Sequence, residues 1–329
     1  MLDGREEIFL PALTVRTEMR FFDWHCHSTY SPLDGLDSPE DLVIRGVEIG
    51  LDGLNITDHG NLRGHREMLK AGIKHNFKIS LGVEAYLSTS NDRFDTRTKK
   101  ARDNGLGVYH HLILIAKNDN GLQNLQRIMS KAWNESIYKV RKSEFALVDM
   151  DLISEYGDDI MISTACVSGP IAENLALGND EAADHWARMF VDRFGDDVYV
   201  ENMVHNSGIH EGLTEKLLKF ADDRNMKSIV TTDTHFAREE DLWIEEALLI
   251  LGTYEQSKKS KPKIIDRDHL NSLDFIEKYN YLYPERPISF EKFDAFLQTG
   301  LDLHNKFMQQ GIDRPDLFAH TIEMKDKLS

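Results

Sequence analysis

Two pairs of potential metal ligands stand at the ends of short apolar segments. His25 and His27 are two residues apart in FFDWHCH, and Asp233 and His235 repeat that spacing in IVTTDTHF. Residues two apart project to the same side of an extended chain, so each pair presents two donor groups together. Imidazole and carboxylate are common ligands of divalent transition metals. A lone HxH is equally typical of surface histidines, but two such pairs buried without a cation would leave polar groups unpaired.

Further candidates follow other apolar segments. Asp58 and His59 end ITDHG, and Glu84 ends the apolar part of GVEAY. Asp34 lies in SPLDG, a turn that can fold its carboxylate over the same site. Cys166 follows an apolar segment in ISTACVSG, where a thiol alone is more typical of a small core residue. Polar residues collected at the C-terminal ends of parallel strands are typical of barrel enzymes.

Two adjacent histidines do not follow this rule. His110 and His111 precede the apolar segment LILIA, so they stand at the start of their predicted strand. The other candidates stand at strand ends. The pattern alone does not choose between the two histidines, nor does it explain their position.

The mixture of histidines, carboxylates and one thiol indicates a class of chemistry. The sequence has no CxxC pair, which argues against a zinc knuckle, and neither GxxxxGK[ST] nor GxSxG, which argues against a P-loop and an esterase elbow. Mixed nitrogen and oxygen ligands around several metals suit phosphoester hydrolysis, because the metals can hold both the attacking and the leaving oxygen.

Alternating strands and helices must position these side chains. The predicted strands are Phe21–Trp24, Gly53–Thr57, Ile79–Val83, Leu112–Ala116, Ile160–Ser163, Val198–Glu201 and Ser228–Thr231. The predicted helices are Pro39–Ile49 with Ser38 as N-cap, Gly64–His75, Leu122–Trp133, Gly169–Leu177, Glu181–Phe194, His210–Asn225 and Glu239–Leu251. This alternation indicates βα units and a parallel sheet with both faces covered. Beyond Gly252 the polar stretch EQSKKSKPK predicts a linker, and helical patterns such as Phe290–Gln310 follow.

A polar loop at residues 88 to 107 separates the third and fourth predicted strands. Its five basic residues are Arg93, Arg97, Lys99, Lys100 and Arg102. Charged loops are usually solvated, but this one joins the strand of Glu84 to the strand of the histidine pair. Because the net charge is −17, attraction of phosphate must come from metals and a local basic cluster. We therefore predict that these five side chains bind substrate phosphates.

Composition narrows the class of protein. The 329 residues suit one barrel-sized domain with an appendage, and the 41% of apolar residues suffices for a large core. No stretch approaches the roughly 18 apolar residues of a membrane span, and the N-terminus does not resemble a signal peptide. Two cysteines exclude a disulfide framework, so we expect a cytoplasmic protein. The acidic charge argues against non-specific coating of DNA, but not against a nuclease whose carboxylates recruit cations.

The motifs, in their order, resemble the PHP (polymerase and histidinol phosphatase) domain at the N-terminus of bacterial DNA polymerase III α subunits. The matching stretches are HCHSTYSPLDG (25–35), ITDHGNLRG (56–64), ISLGVEAYL (79–87), RFDTR (93–97), HLILIAKNDNGLQNL (111–125), TACVSG (164–169) and TTDTHF (231–236). The resemblance implies an α/β fold, a distorted (β/α)7 barrel similar to a TIM barrel, over residues 21–251. Residues 1–20 would be an N-terminal extension, and residues 252–329 a linker and a helical C-terminal extension.

The resemblance also implies two to three divalent metal ions, commonly zinc, manganese or iron. Nine positions would supply the ligands: His25, His27, Asp34, His59, Glu84, His111, Cys166, Asp233 and His235. One metal would be held by His25, His27, Glu84 and Asp233. A second would be held by Glu84, His111 and Cys166, with Glu84 bridging, and the third by Asp34, His59 and His235. The resemblance thus selects His111 over His110, and it implies catalytic roles for His59, Glu84, Asp233 and His235.

The function implied is a metal-dependent phosphodiesterase, a proofreading 3′→5′ exonuclease acting on single-stranded or frayed DNA 3′ ends. Related polymerases that have lost activity replace several ligands, so the intact set favours catalysis. The acidic palm motif of the polymerase is absent, so we do not expect this chain alone to polymerise DNA. It would act as a free-standing exonuclease, as a piece of a split polymerase beside a separate polymerase subunit, or as a truncated piece.

Two alternatives remain open. One is a small-molecule phosphatase of the histidinol-phosphatase type, against which the basic loop and the polymerase-like motifs argue. The other is a structural module that holds metal for stability and binds polymerase parts without turnover. Cleavage of end-labelled DNA, compared with that of a generic phosphomonoester, distinguishes the three.

Overall fold

A computed structural model describes residues 19–32, 34–95, 97, 106–140, 143–204, 212–286, 289–291 and 293–329. Within these residues the strands are β1 Phe22–Cys26, β2 Gly53–Ile56, β3 Ile79–Ser88, β4 Tyr109–Ala116, β5 Ile137–Val140, β6 Ser143–Val148, β7 Ile160–Ser163, β8 Val198–Asn202 and β9 Lys227–Val230. The α-helices are α1 Pro39–Glu48, α2 His65–Lys74, α3 Asp119–Glu135, α4 Met150–Glu155, α5 Pro170–Ala176, α6 Asp180–Phe194, α7 Leu213–Asp222, α8 Leu242–Ser257, α9 Arg267–Ser272, α10 Phe275–Leu282, α11 Gly300–Gln309 and α12 Asp316–Asp326.

Seven strands form a nearly closed barrel in the order β1-β2-β3-β4-β7-β8-β9. A parallel bridge between Cys26 and Thr234, which lies beyond β9, joins the two edges of the sheet. The amide of His27 donates to the carbonyl oxygen of Thr234 at 2.7 Å, and the amide of Thr234 donates to that of His25 at 3.0 Å. The predicted distorted seven-stranded barrel is therefore confirmed.

One barrel strand runs against the others. β4 pairs antiparallel with β3 and with β7, whereas the other neighbouring pairs of barrel strands are parallel. The prediction of a parallel sheet throughout is wrong at this strand. The sequence predicts a loop and no helix between β3 and β4, and strands without a helical crossover between them can pair antiparallel.

A short hairpin that the sequence analysis did not predict lies beside the barrel. β5 and β6 pair antiparallel, and β6 continues the sheet by pairing parallel with β3 at Tyr86 and Leu87. The two strands have four and six residues and follow α3 closely, so their alternating pattern is too short to stand out. The hairpin places Tyr138 and Phe145 in an aromatic cluster with Tyr86 and Tyr109.

The core has an inner and an outer part. Phe22, Trp24, Ile113 and Tyr199 belong to one buried cluster, and Met324 of α12 joins it. Outside the sheet, amphipathic helices cover the strands, as the predicted helical patterns require. Local signals set their ends: Ser38, the predicted N-cap of α1, accepts a hydrogen bond from the amide of Asp41.

The C-terminal residues pack against the barrel. The indole nitrogen of Trp24 donates to the carbonyl oxygen of Thr321 in α12 at 3.0 Å. The helix predicted at Phe290–Gln310 is present only as α11, and the described residues from 289 to 299 are not helical. The carbonyl oxygen of Ala295 accepts hydrogen bonds from the amides of His235 and Phe236, which follow β9, and Thr299 caps α11 where it begins. None of the helices in the described part of the chain has the length and apolarity of a membrane span.

Candidate metal centre

All nine predicted ligands lie together at one end of the barrel. His25 and His27 stand at the end of β1, His59 follows β2, Cys166 follows β7, and Asp233 and His235 follow β9. Because these strands are parallel, their C-terminal ends lie at the same end of the barrel. Contacts of 3.8 Å or less connect all nine side chains into one cluster. The members of this cluster are His25, His27, Asp34, His59, Glu84, His111, Cys166, Asp233 and His235.

The HxH and DxH pairs face each other across the barrel seam. Asp233 Oδ1 lies 3.1 Å from His25 Nε2 and 3.3 Å from His27 Nε2. The backbone of Asp233 is in the left-handed region with φ of 51°, a conformation that aspartate tolerates better than most residues. Residues held in such conformations occur often at functional sites, where the surrounding structure fixes them.

Glu84 is the centre of the cluster. Its Oε1 lies 2.8 Å from His111 Nδ1, and its Oε2 lies 2.8 Å from His59 Nδ1 and 3.1 Å from His27 Nε2. The sequence placed Glu84 at the end of a strand, but β3 continues to Ser88 because β4 and β6 pair with its second half. The carboxylate therefore projects into the cluster from within β3.

The direction of β4 explains why a ligand stands at the start of that strand. Since β4 is antiparallel to its neighbours, its first residues lie where the other strands end. His111 is opposite Tyr86 in the register, and its imidazole reaches Glu84. His110 points to the other face, where its Nδ1 lies 2.9 Å from Glu173. His111, the histidine that the resemblance implied, therefore lies in the cluster, and His110 does not.

A tight turn brings Asp34 over the cluster. Asp34 Oδ2 lies 3.2 Å from His59 Nε2. The turn requires glycine at position 35, because a Cβ there would lie 2.0 Å from the carbonyl oxygen of Ser28. His235 completes this side, with its ring centroid 4.4 Å from that of His27.

Cys166 lies at the edge of the cluster, with its sulfur 3.8 Å from His111 Nδ1. Burial, together with the nearby carboxylates of Asp233 and Glu84, raises the pKa of this thiol well above its usual value. A bound cation would reverse that effect, because coordination deprotonates a thiol. Cys166 therefore has the position of a ligand, although its sulfur is not among the atoms that form the tightest donor groups.

The donor atoms suit cations. Three overlapping groups have donor atoms within 4.8 Å of one another: His27 with His59 and His235, His25 with His27 and Glu84, and His59 with Glu84 and His111. Several buried atoms of the cluster lie close to other ligand atoms but form no hydrogen bond of suitable direction within the described residues: both carboxylate oxygens of Glu84, Nδ1 of His59, Oδ1 of Asp34 and Oδ1 of Asp233. Buried polar atoms without partners are costly unless a metal ion binds them. These clusters can therefore hold divalent metals.

The carboxylates and imidazoles of the cluster shift each other's pKa. Burial alone would raise the pKa of Glu84, but His111, His59 and His25 lower it well below the usual range. Burial would lower the pKa of His25, but the carboxylates of Asp233, Glu201 and Glu84 raise it well above its usual value. Without cations, the neighbouring carboxylates thus favour the protonated form of His25. Divalent cations can replace such protons, as metal binding to histidine requires.

Comparison with known proteins identifies the family of this cluster. The PHP domain profile matches residues 23–205, which is more than half of the chain. The chain belongs to the PHP family. It is 34% identical over 232 residues to the DNA polymerase III α subunit of Aquifex aeolicus, and 30% identical over 275 residues to that of Treponema pallidum. These alignments cover 70% and 82% of this chain but 20% and 22% of the subunits, so the chain spans about a fifth of these relatives.

Solved structures with some likeness were also found. A protein from Bifidobacterium adolescentis described as a metal-dependent phosphoesterase is 18% identical, with a TM-score of 0.42 over 66% of this chain and 88% of that one. Histidinol phosphate phosphatase from Lactococcus lactis, complexed with zinc, L-histidinol and phosphate, is 14% identical, with a TM-score of 0.31 over 70% of this chain and 93% of that one.

Two carboxylates outside the predicted ligand set, Glu201 and Asp58, support the ligands of this PHP centre. Glu201 Oε2, fully buried in β8, lies 2.9 Å from His25 Nδ1. Asp58 accepts a hydrogen bond from the hydroxyl of Ser31 at 3.1 Å, and that hydroxyl lies 3.0 Å from His27 Nδ1. Both imidazoles are thus held at Nδ1 and direct Nε2 into the cluster, as is usual for metal-bound histidine. Glu201 stands at a strand end, which is the signal that identified Glu84.

The predicted phosphate-binding loop is only partly described. Arg93 Nη1 lies 3.0 Å from Asp149 Oδ1, so this guanidinium already has a carboxylate partner. Arg97 is largely exposed and pairs with Asp95 at 2.9 Å. Lys99, Lys100 and Arg102 lie outside the described residues. The role of these five residues in substrate binding stays a prediction.

Proposed function

We propose that this PHP chain is a metal-dependent phosphodiesterase that removes nucleotides from the 3′ ends of single-stranded or frayed DNA. The observation that carries the proposal is the convergence of nine donor side chains on one cluster around Glu84, with buried oxygen and nitrogen atoms that lack hydrogen-bond partners in the described chain. A cluster of histidines and carboxylates with this geometry matches zinc, manganese or iron.

The contacts support a division of the ligands among two or three metals. Glu84 would bridge two of them, because its Oε1 faces His111 whereas its Oε2 faces His27. His25, His27 and Asp233 would complete one site, Cys166 the second, and His59 with the remaining residues Asp34 and His235 the third. Divalent cations bound there would polarise a phosphoester and stabilise charge on its attacking and leaving oxygens. We assign catalytic roles to His59, Glu84, Asp233 and His235, which line the cavity beside the cluster.

DNA is proposed as the substrate for two reasons. The relatives that the chain matches over most of its length are named as DNA polymerase subunits. The basic loop lies between β3, which carries the central glutamate, and β4. Its candidates for binding phosphates are Arg93, Arg97, Lys99, Lys100 and Arg102. Because the net charge is −17, such a local cluster must act together with metals to attract DNA. A separate polymerase subunit is the partner that this activity would serve.

The decisive experiment compares two substrates and two variants. The chain with Mn²⁺ should shorten 5′-labelled single-stranded DNA from its 3′ end, and chelator should abolish the reaction. Asp233→Asn should lower the rate by more than the roughly 10- to 100-fold that loss of an outer-shell partner costs. Asp192→Asn, an exposed residue of α6, is the matched control and should keep the wild-type rate.

The alternatives give different results in the same experiment. Hydrolysis of p-nitrophenyl phosphate without any cleavage of DNA would identify a small-molecule phosphatase. Bound metal that stabilises the fold, with no turnover of either substrate, would identify a structural module of a polymerase assembly. Either result would overturn the exonuclease proposal.

A further inference from the structure

The cluster of ligands opens into a cavity of about 680 Å³. Asp34, Glu84, Asp233 and His235 are among the residues that line it. Described residues between 284 and 298, here called the C-terminal wall, also line the cavity. This wall lies outside residues 23–205, the part of the chain that the PHP profile matches. The cavity is therefore shaped jointly by the family domain and by the C-terminal extension.

The C-terminal wall is attached to the barrel at two places. The amide of His235 donates to the carbonyl oxygen of Ala295 at 2.8 Å, so the wall is bonded to a proposed ligand residue itself. Glu246 in α8 accepts a hydrogen bond from the Ser289 hydroxyl at 2.9 Å and lies 3.2 Å from the Arg286 guanidinium. Both groups of this ion pair are nearly inaccessible to solvent. These contacts fix the wall over the cluster.

Phe290 is the aromatic group that the wall presents to the cluster. Its ring centroid lies 4.4 Å from that of His235, and the ring lines the cavity while remaining partly exposed. Val167, Met203 and Val204 add further apolar lining. The lining of the cavity thus combines candidate cation ligands with a largely apolar surface. The aromatic ring of that surface, Phe290, lies 4.4 Å from the imidazole of His235, measured between ring centroids.

We propose that Phe290 is the stacking platform for the base of the nucleotide whose phosphate lies at the metal centre. The inference rests on the proposed function for the phosphoester, and it adds the nucleobase as the group that the C-terminal wall recognises. An aromatic ring stacks on every base, which suits an enzyme that removes nucleotides of any sequence. The cavity volume falls within the 300–1,000 Å³ or so of small-ligand sites, so the cavity has room for a single unpaired nucleotide.

The test measures binding of two ligands that differ only in the base. Calorimetry with the Mn²⁺-loaded full chain compares deoxyadenosine 5′-monophosphate with 2-deoxyribose 5-phosphate. We expect Phe290→Ala to weaken binding of the nucleotide by about 5- to 100-fold, the loss of one stacked base, and to leave binding of the sugar phosphate unchanged. Phe290→Trp should bind the nucleotide at least as tightly as wild type. Phe275→Ala, an exposed phenylalanine of α10 that does not line the cavity, is the matched control.

Folding of the variants is checked by thermal unfolding, and Phe290→Leu keeps the apolar volume if the alanine variant is unstable. Phe290→Leu should still weaken nucleotide binding, because it removes the aromatic face. Equal losses for both ligands, or no loss for the nucleotide, would overturn the inference.

The two proposals fail separately. If wild type prefers the nucleotide through Phe290 but does not cleave DNA, the stacking platform stands and the exonuclease does not. If wild type cleaves DNA but Phe290→Ala binds both ligands as wild type does, the exonuclease stands and the platform does not.

Discussion

Replacing Glu201 with glutamine tests whether buried carboxylates outside the ligand set position the ligands. Oε2 of Glu201 lies 2.9 Å from His25 Nδ1 and accepts a hydrogen bond from the Thr231 hydroxyl at 2.8 Å. Oε1 accepts hydrogen bonds from the Ser163 hydroxyl at 2.5 Å and the Ala165 amide at 3.2 Å. With every neighbour a donor, the carboxylate keeps the proton of His25 on Nδ1 and leaves Nε2 for a metal.

Glutamine has the same size but must turn its NH₂ group toward one of these two pairs of donors. Either orientation sets donor against donor in a fully buried place and removes at least one charge-assisted hydrogen bond, each of which contributes roughly 1.5–3 kcal/mol. Loss of an outer-shell partner lowers metal affinity about 10- to 100-fold. We therefore expect Glu201→Gln to weaken metal binding by that factor and to lower the free energy of unfolding by roughly 2 kcal/mol or more in chelator.

Competition with a chromophoric chelator measures the affinity, and thermal unfolding in EDTA measures the stability. Glu144→Gln, on the exposed part of the hairpin, is the matched control and should change neither. If folded Glu201→Gln binds metal within about twofold of wild type, the outer-shell reasoning is wrong. A stability loss without an affinity loss would show that the carboxylate supports only the fold.

Three further predictions concern other groups. Alkylation of Cys166 by iodoacetamide, measured at pH 9 because burial raises the thiol pKa, should rise when metal is removed; unchanged labelling would mean that it is not a ligand. Burial raises the pKa of Glu245 from 4.5 to about 8. Between these pH values the folded chain retains a proton that the unfolded chain loses, so the free energy of unfolding falls as the pH rises from 4.5 to 8. In EDTA, Glu245→Gln should therefore stabilise by up to about 3 kcal/mol at pH 7 and little at pH 4.5; an equal gain at both values would contradict this. Replacing Arg97, Lys99 and Lys100 with alanine should weaken binding of single-stranded DNA and reduce the slope of log affinity against log salt concentration by about 0.7 per lost phosphate contact. Hydrolysis of a small phosphoester should stay unchanged. A wild-type salt slope would place the DNA contacts elsewhere.

Local periodicity made most of the cluster predictable from the sequence. His25 with His27 and Asp233 with His235 share a face because side chains alternate along an extended chain, whatever the fold. The βα alternation then indicates which segment ends meet at one edge. These two rules need no knowledge of long-range pairing, and both were confirmed for the strands that run parallel.

These rules could not predict the direction of β4. Whether a strand runs with or against its neighbours is decided by pairing between distant segments, here β4 with β3 and β7. His111 therefore looked misplaced at the start of its strand, and Glu84 was assigned to a strand end that the pairing extends. The family resemblance implied His111, which is the histidine that this pairing places beside Glu84, but it does not explain the pairing.

The C-terminal wall escaped prediction for a similar reason. An apolar pattern at Phe290–Gln310 predicts a helix, but the described residues of its first part are bonded to the barrel, with Ala295 accepting from His235. Glu201 gives the same strand-end signal as Glu84, but it lies in none of the stretches that carry the family resemblance, so it was not selected.

The acidity of the chain links metal binding to substrate binding. Asp34, Glu84 and Asp233 bring three carboxylates into the cluster of a chain of net charge −17, and this negative field opposes phosphate binding. A divalent cation is the largest local charge that can reverse this field. Because coupling between two ligands is reciprocal, any DNA end that binds more tightly with metal present must also tighten metal binding by the same factor. Under the proposed function, these carboxylates would thus make nucleic-acid binding dependent on a loaded centre.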